Sequence, residues 1–283
     1  MKIHILTLTW NGVNKIERLS QNLSPALTAI THANGKLKDG FDISTWYIKD
    51  NGSKDNTVEM MRNYSDRIDK DQLKTEIFEI GHNLDNFAQG MNYLFKQANP
   101  KDEDIVLLLN NDVIIDDTSS FKYMFDLLNR TNAAIVGARL LYTHTNKLQH
   151  AGVIFGERYG KMPYHFRPGE VSDTNAEKDR TFQAVTAAVC LVQASSFKKI
   201  GGMHEQYAWA FEDIDMCLSI GQHEKIVYCG KTKIYHDESA SLKKNPVNKL
   251  FLQQNVDCFK KRWWGKYKLD HELYLKNNDY NII

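Results

Sequence analysis

Three carboxylates in this chain stand where chemistry can be built. Asp112 closes an apolar run, residues 105–109, through Asn110-Asn111. A carboxylate at such a strand end can hold a hard divalent cation against a diphosphate, because Mg²⁺ and Mn²⁺ take few protein oxygens and complete their shells with phosphate. Asn-Asn-Asp is also ordinary turn composition, so a turn-forming Asp is the competing reading. Asp50 ends a second strand-like run, residues 45–49, ahead of Asn51-Gly52-Ser53. It can accept a hydrogen bond from a base N–H or shape a turn, and both can hold, because Ser53 can cap the helix that follows while Asp50 binds. The third cluster is Phe211-Glu212-Asp213-Ile214-Asp215, behind the aromatic run 207–211. Acids at a helix start complement its dipole, which suffices for Asp215. Three acids in four residues exceed what a cap requires, and one can act as general base toward a hydroxyl. His236, at the end of residues 233–236, suits a transition metal or an ordinary structural hydrogen bond.

These clusters need a scaffold, and the first half alternates strand and helix. Residues 3–9, 45–49, 75–80 and 105–109 have strand composition. Residues from about 15, 54–64 and 87–97 have helical spacing, with Ile16, Leu19 and Leu23 on one side of the first. Ser24-Pro25 either kinks that helix or caps a second one. Such alternation predicts right-handed βαβ units in an open, mostly parallel sheet flanked by helices, with ligands beyond the carboxyl ends of its strands. The second half is less regular. Strands are expected at 133–142, 150–155, 182–192, 226–229 and 233–236. Helices are expected up to Gly201-Gly202, at 212–220 and at 248–264. Residues 157–180 read as a long mobile loop. Residues 1–240 form the main domain, halved at about 115, and residues 241–283 a helical extension.

The bulk numbers are those of an ordinary globular protein. Of 283 residues, 42% are hydrophobic and 25% charged. Lys+Arg of 36 against Asp+Glu of 35 leave a net charge of +1, which does not mark a chain held to nucleic acid by phosphate contacts. Cys190, Cys217, Cys229 and Cys258 match no zinc spacing and point to a reducing, cytoplasmic setting. No apolar window is long enough to span a bilayer. Residues 259–264, Phe-Lys-Lys-Arg-Trp-Trp, suit either packing of an amphipathic helix on the main domain or peripheral contact with a membrane surface or partner subunit.

In order, these segments resemble the large inverting family-2 glycosyltransferases of the GT-A fold. Residues 5–12 resemble the family's first strand and the Thr-Tyr-Asn-like turn beneath the nucleotide. Residues 50–55, Asp-Asn-Gly-Ser-Lys-Asp, look like its Asp-Asn-Gly-Ser-x-Asp signature. Residues 83–92 resemble its Asn-Leu-Gly-Phe-Ala-x-Gly-x-Asn segment, with Asp85-Asn86 in place of the usual Gly. Residues 109–112 are similar to its Asp-x-Asp metal motif, of which Asp112 alone is acidic. Residues 149–153 and 183–191 resemble bacterial surface-polysaccharide, rhamnosyltransferase-like members. Residues 197–203 look like Phe-x-x-x-Gly-Gly-Phe, and residues 211–218 like Phe-Glu-Asp-x-Asp-x-Cys-Leu.

The resemblance implies transfer of a hexosyl or deoxyhexosyl group from a nucleotide-diphosphate donor, a UDP- or dTDP-sugar favoured, to a hydroxyl acceptor in glycan or polysaccharide synthesis. Leu8, Thr9, Asp50, Asn83, Phe87, Asn111 and Asp112 would contact the donor. Asp112 and His236 would hold Mn²⁺ or Mg²⁺. Asp213 would be the base, Glu212 would orient it or the acceptor, and Trp209 and Phe211 would shape the acceptor pocket. A sugar nucleotidyltransferase is disfavoured because residues 9–14 carry one Gly and no Arg. A binding protein that has lost activity is disfavoured by the intact Asp50, Asp112 and Asp213.

Overall fold

The computed structural model describes residues 1–28, 42–67, 73–79, 85–208, 210–237 and 247–283. Of the residues singled out above, Asn83 and Trp209 lie outside these.

Strand β1 (Lys2–Thr9) leads into helix α1 (Val13–Thr28), then β2 (Asp42–Asp50), α2 (Thr57–Arg67), β3 (Lys74–Glu79), α3 (Phe87–Ala98) and β4 (Ile105–Leu109). The four strands are parallel in the order β4-β1-β2-β3. From β1 the chain winds one way to β2 and β3, then returns to place β4 on the other side of β1. The crevice between the carboxyl ends of β1 and β4 is therefore a topological switch point, where open α/β sheets bind ligands.

The second half contributes β5 (Val113–Ile115), α4 (Ser120–Thr131), β6 (Ile135–Tyr142), β7 (Leu148–His150), β8 (Val153–Phe155), β9 (Pro163–His165), β10 (Arg180–Thr181), β11 (Val189–Gln193), α5 (Ala194–Lys199), α6 (Glu212–Gly221), β12 (Ile226–His236), α7 (Val247–Trp263) and α8 (His271–Lys276). Its strands extend the sheet as β10-β12-β6-β11 beside β4. Here β12 is parallel to β6, but β11 runs antiparallel to both of its neighbours.

Side chains alternate across the strands. Ile3, Ile5, Leu107 and Leu109 face the layer of α1, α2 and α4. Leu6, Val106 and Leu108 face the layer of α3, α5, α6 and the C-terminal helices. Helix α3 lies close on β1 because residue 90 is glycine: a Cβ there would stand 2.8 Å from the Leu8 side chain.

Several expectations need correction. Pro25 sits inside one continuous α1. The segments 226–229 and 233–236 form one strand, β12, with a register shift between Cys229 and Ile234. The apolar stretch 182–192 is a strand only from Val189; before it Ala184 makes an isolated bridge to Val153, and Thr186 reaches the cleft described below. Residues 157–180 are not a featureless loop. They hold a 3-10 turn and β9, which pairs with β8, and Arg167 forms ion pairs with Glu170 and Asp173.

The C-terminal segment is pinned to the rest. Asp215, on α6 and buried, accepts hydrogen bonds from Arg262 Nε (2.6 Å), Trp263 Nε1 (2.6 Å) and Tyr207 Oη (2.9 Å). Phe259 and Tyr274 are buried in the same cluster as α3 and α6. Asp215 is thus an anchor for α7 rather than a simple helix-start charge. Among the described residues, no helix is long and apolar enough to cross a membrane.

Candidate active site

A cleft of about 540 Å³ opens over the carboxyl ends of β1 and β4. Leu8, Thr9, Phe87, Asn111 and Asp112 line it on one side; Phe211, Glu212, Asp213 and His236 complete the wall. Residues as much as 228 positions apart in sequence, from Leu8 to His236, are thereby brought to one surface.

Asp112 and His236 meet through a ladder. β5 pairs antiparallel with the end of β12, setting Val113 opposite His236. The Asp237 N–H donates to the Asp112 carbonyl (3.0 Å). Asp112 Oδ1 lies 3.1 Å from His236 Nε2, and Oδ2 lies 3.2 Å from Lys15 Nζ. Burial opposes ionisation of Asp112, but pairing with His236 and Lys15 outweighs it and holds the carboxyl below its ordinary range. On the other ring nitrogen, His236 Nδ1 stands 2.8 Å from Gln149 Oε1. An amide oxygen only accepts, so Nδ1 is the donor to Gln149, and Nε2 is the ring nitrogen left facing Asp112. Among the described residues no group of three or more His, Cys, Asp or Glu side chains could hold a metal ion. One carboxylate and one imidazole nonetheless fit a cation that takes its remaining ligands from phosphate and water.

Neighbouring segments are set by buried polar contacts. His150 Nδ1 donates to the Ala138 carbonyl (3.0 Å), and its Nε2 accepts from the Thr186 N–H (3.2 Å). Burial holds His150 neutral, well below its ordinary pKa. His165 Nδ1 donates to the Gln149 carbonyl (2.8 Å), fixing β9 on the cleft wall.

Asp213 lies in the first turn of α6, where its Oδ2 accepts from the Ala187 N–H (3.2 Å) and its Oδ1 from the Ile214 N–H (2.8 Å). Ala210 and Phe211 precede that helix with φ of 64° and 73°, a left-handed pair that non-glycine residues adopt at a cost. This turn swings the chain so that the helix start faces the cleft. Phe211 both lines the cleft and packs on Phe259, the tilted ring centroids 5.2 Å apart, so it serves site and core together.

Asp50 takes the turn-shaping part. It is buried, is not on the cleft wall, and spends its carboxylate on its own turn: Oδ2 accepts from the Gly52 and Ser53 N–H groups (3.0 and 2.9 Å), and Oδ1 from the Ser53 hydroxyl. Ser53 caps no helix, since α2 starts four residues later. It instead accepts from the Asn11 N–H at 2.8 Å, tying the β2 turn to the β1 turn. The unusual Asp85-Asn86 pair has a structural explanation. Asp85 Oδ2 pairs with the fully buried Lys49 Nζ (3.0 Å), and Asn86 caps α3 in a reciprocal box with Gln89.

Sequence reasoning missed Lys15, Gln149, Thr186 and His165 as site residues. Lys15 did carry a signal: a cation in the first turn of a helix opposes the dipole, so it implies a nearby anion.

Residues 25–201 match the glycosyl transferase family 2 domain, and the chain belongs to that family. It is 30% identical over 191 residues to the uncharacterized protein y4gI of Sinorhizobium fredii, covering 62% of this chain and 21% of that protein. It is 28% identical over 167 residues to the O-antigen biosynthesis protein RfbC of Myxococcus xanthus, covering 57% of this chain and 13% of that protein. The matches thus span only a small part of these relatives. Solved structures share the GT-A fold of glycosyltransferases. GalNAc-T7 with UDP, GalNAc and Mn²⁺ superposes with a TM-score of 0.66 at 10% identity, over 98% of this chain and 51% of that one. The mannosyltransferase PcManGT of Pyrobaculum calidifontis, in complex with GDP-Man and Mn²⁺, gives 0.61 at 13%, over 96% and 69%. TarS residues 1–349 of S. aureus give 0.55 at 12%, over 96% and 77%.

Proposed function

We propose that this family-2 glycosyltransferase moves a sugar from a nucleotide-diphosphate donor to an acceptor hydroxyl in a single displacement with inversion, in the assembly of a surface glycan. The observation that carries this reading is the shared cleft: an Asp112–His236 pair at the switch point and, on the same wall, Asp213 at the start of α6. The nucleotides and Mn²⁺ bound by GalNAc-T7 and PcManGT, and the name of RfbC, support it.

Leu8, Thr9, Phe87 and Asn111 form the donor wall. Asp112 and His236 are the side chains that would hold Mn²⁺ or Mg²⁺, which when bound neutralises charge on the leaving diphosphate. Lys15 Nζ adds a fixed positive charge on the same side of the cleft. Asp213 takes the proton of the acceptor hydroxyl as its oxygen attacks the anomeric carbon. Two backbone N–H groups aimed at its carboxylate keep it oriented. Phe211 packs against the acceptor.

Asp213→Asn tests this. The variant is expected to fold and bind donor as wild type does, and to lose transfer by at least about a hundredfold, the usual contribution of a general base. Transfer at the wild-type rate would remove Asp213 from the role.

A further inference from the structure

Beside the base stands a second carboxylate that the reaction above leaves without work. Glu212 opens α6 and lines the cleft, yet its side chain is largely withdrawn from solvent, with 9% of the residue exposed. Its Oε2 is buried without a hydrogen-bond partner, and among the described residues it has no salt-bridge partner. A carboxyl oxygen buried without a partner is costly, most of all when it carries charge.

We infer that Glu212 is an uncharged carboxylic acid that donates its proton in a hydrogen bond to a hydroxyl oxygen of the sugar bound in the cleft. This rests on the transferase reading and deepens it by giving Glu212 the part of a hydrogen-bond donor beside the base. Two carboxylates adjacent in the chain, one of them buried, do not ionise together easily. Asp213 has its carboxylate held by two backbone N–H groups. Glu212 has no such donors from neighbouring residues. Burial first, and the Asp213 charge second, push it up to about 8. The other titratable groups around the cleft are Lys15 on α1, Asp112 after β4, Tyr164 and His165 on β9, and His236 on β12. An acid kept neutral at physiological pH can give what an ionised one cannot, a hydrogen bond to a sugar oxygen.

Glu212→Gln keeps a neutral donor of similar shape, and Glu212→Ala removes it. Infrared difference spectra between wild type and Glu212→Gln at pH 7 should show the carbonyl stretch of one protonated carboxylic acid, fading as pH rises through about 8. That readout needs no turnover, so it survives if the transferase reading fails. Binding of nucleotide sugars and of bare nucleotides, with Mn²⁺, and transfer to simple glycosides supply the second arm. Glu212→Ala should lose about tenfold or more in a sugar-dependent step, by the worth of one hydrogen bond, and Glu212→Gln should recover most of it. A deficit in nucleotide-sugar affinity beyond that for bare nucleotide places the hydroxyl on the donor; a deficit confined to acceptor kcat/KM places it on the acceptor. The wild-type rate should also fall above about pH 8, and that limb should vanish in Glu212→Gln. Absence of the protonated band at pH 7 would overturn the inference. So would a Glu212→Gln enzyme as defective as Glu212→Ala.

Discussion

Replacing Gln149 by Leu should weaken Mn²⁺ binding without touching Asp112 or His236, the residues proposed to hold it. Gln149 is 1% exposed, so no solvent stands ready to replace its amide. The variant removes the 2.8 Å contact that holds the proton on His236 Nδ1, and the 3.3 Å bond from Gln149 Nε2 to the His236 carbonyl. Without the first, the ring can rotate or place its proton on Nε2, the atom that faces Asp112. Loss of such an outer partner typically lowers metal affinity 10- to 100-fold, about 1.4–2.7 kcal/mol. The stranded His236 N–H adds a stability cost of about 1–3 kcal/mol. Mn²⁺ titration by electron paramagnetic resonance, with a saturating nucleoside diphosphate present, reads the affinity directly. Urea unfolding confirms that the variant is folded under the assay conditions. Mn²⁺ affinity within twofold of wild type would refute the reasoning that Gln149 sets the His236 tautomer for a cation.

Two further predictions concern stability. Asp215→Ala leaves Tyr207, Arg262 and Trp263 without their common acceptor; it should cost about 3 kcal/mol, the low end for a broken buried pair because the Arg262 side chain is 36% exposed. Urea unfolding reads this, and an unchanged midpoint would show that α7 docks without Asp215. Burial raises Asp270 from its ordinary 3.8 up to about 6, so the folded state holds this proton more tightly than the unfolded chain. The corresponding stability is fully present below about pH 4 and is lost as pH rises through 6. The stability of wild type relative to Asp270→Asn should therefore fall between pH 4 and 7, and a rise would contradict the assignment.

The parallel half of the fold is legible in sequence because its signals are local. Residues 105–109 are apolar throughout and form a strand buried on both faces, while Ile16, Leu19 and Leu23 repeat at helical spacing and are buried. What escaped reading was nonlocal pairing. β5 has three residues, too few to show a period, yet its ladder with β12 is what sets Asp112 beside His236. The antiparallel insertion of β11 between β4 and β6 depends on which edge is free, and no residue in 189–193 encodes that. Asp112, Asp213, Glu212 and His236 were legible as chemistry-bearing types at strand or helix ends. Their supporting residues were not, because Gln149 and Lys15 acquire meaning only from what they touch. Asp50 was legible as a turn residue, and its carboxylate does accept from Gly52 and Ser53 of that turn.

We propose that the cleft performs metal-assisted sugar transfer from a nucleotide donor. Nucleotide release from a panel of UDP-, dTDP- and GDP-sugars with Mn²⁺, beside an Asp112→Ala control, tests it most directly. Release from one donor that disappears in the control, and on chelation of the metal, is the predicted result. Release that persists unchanged in Asp112→Ala would contradict it.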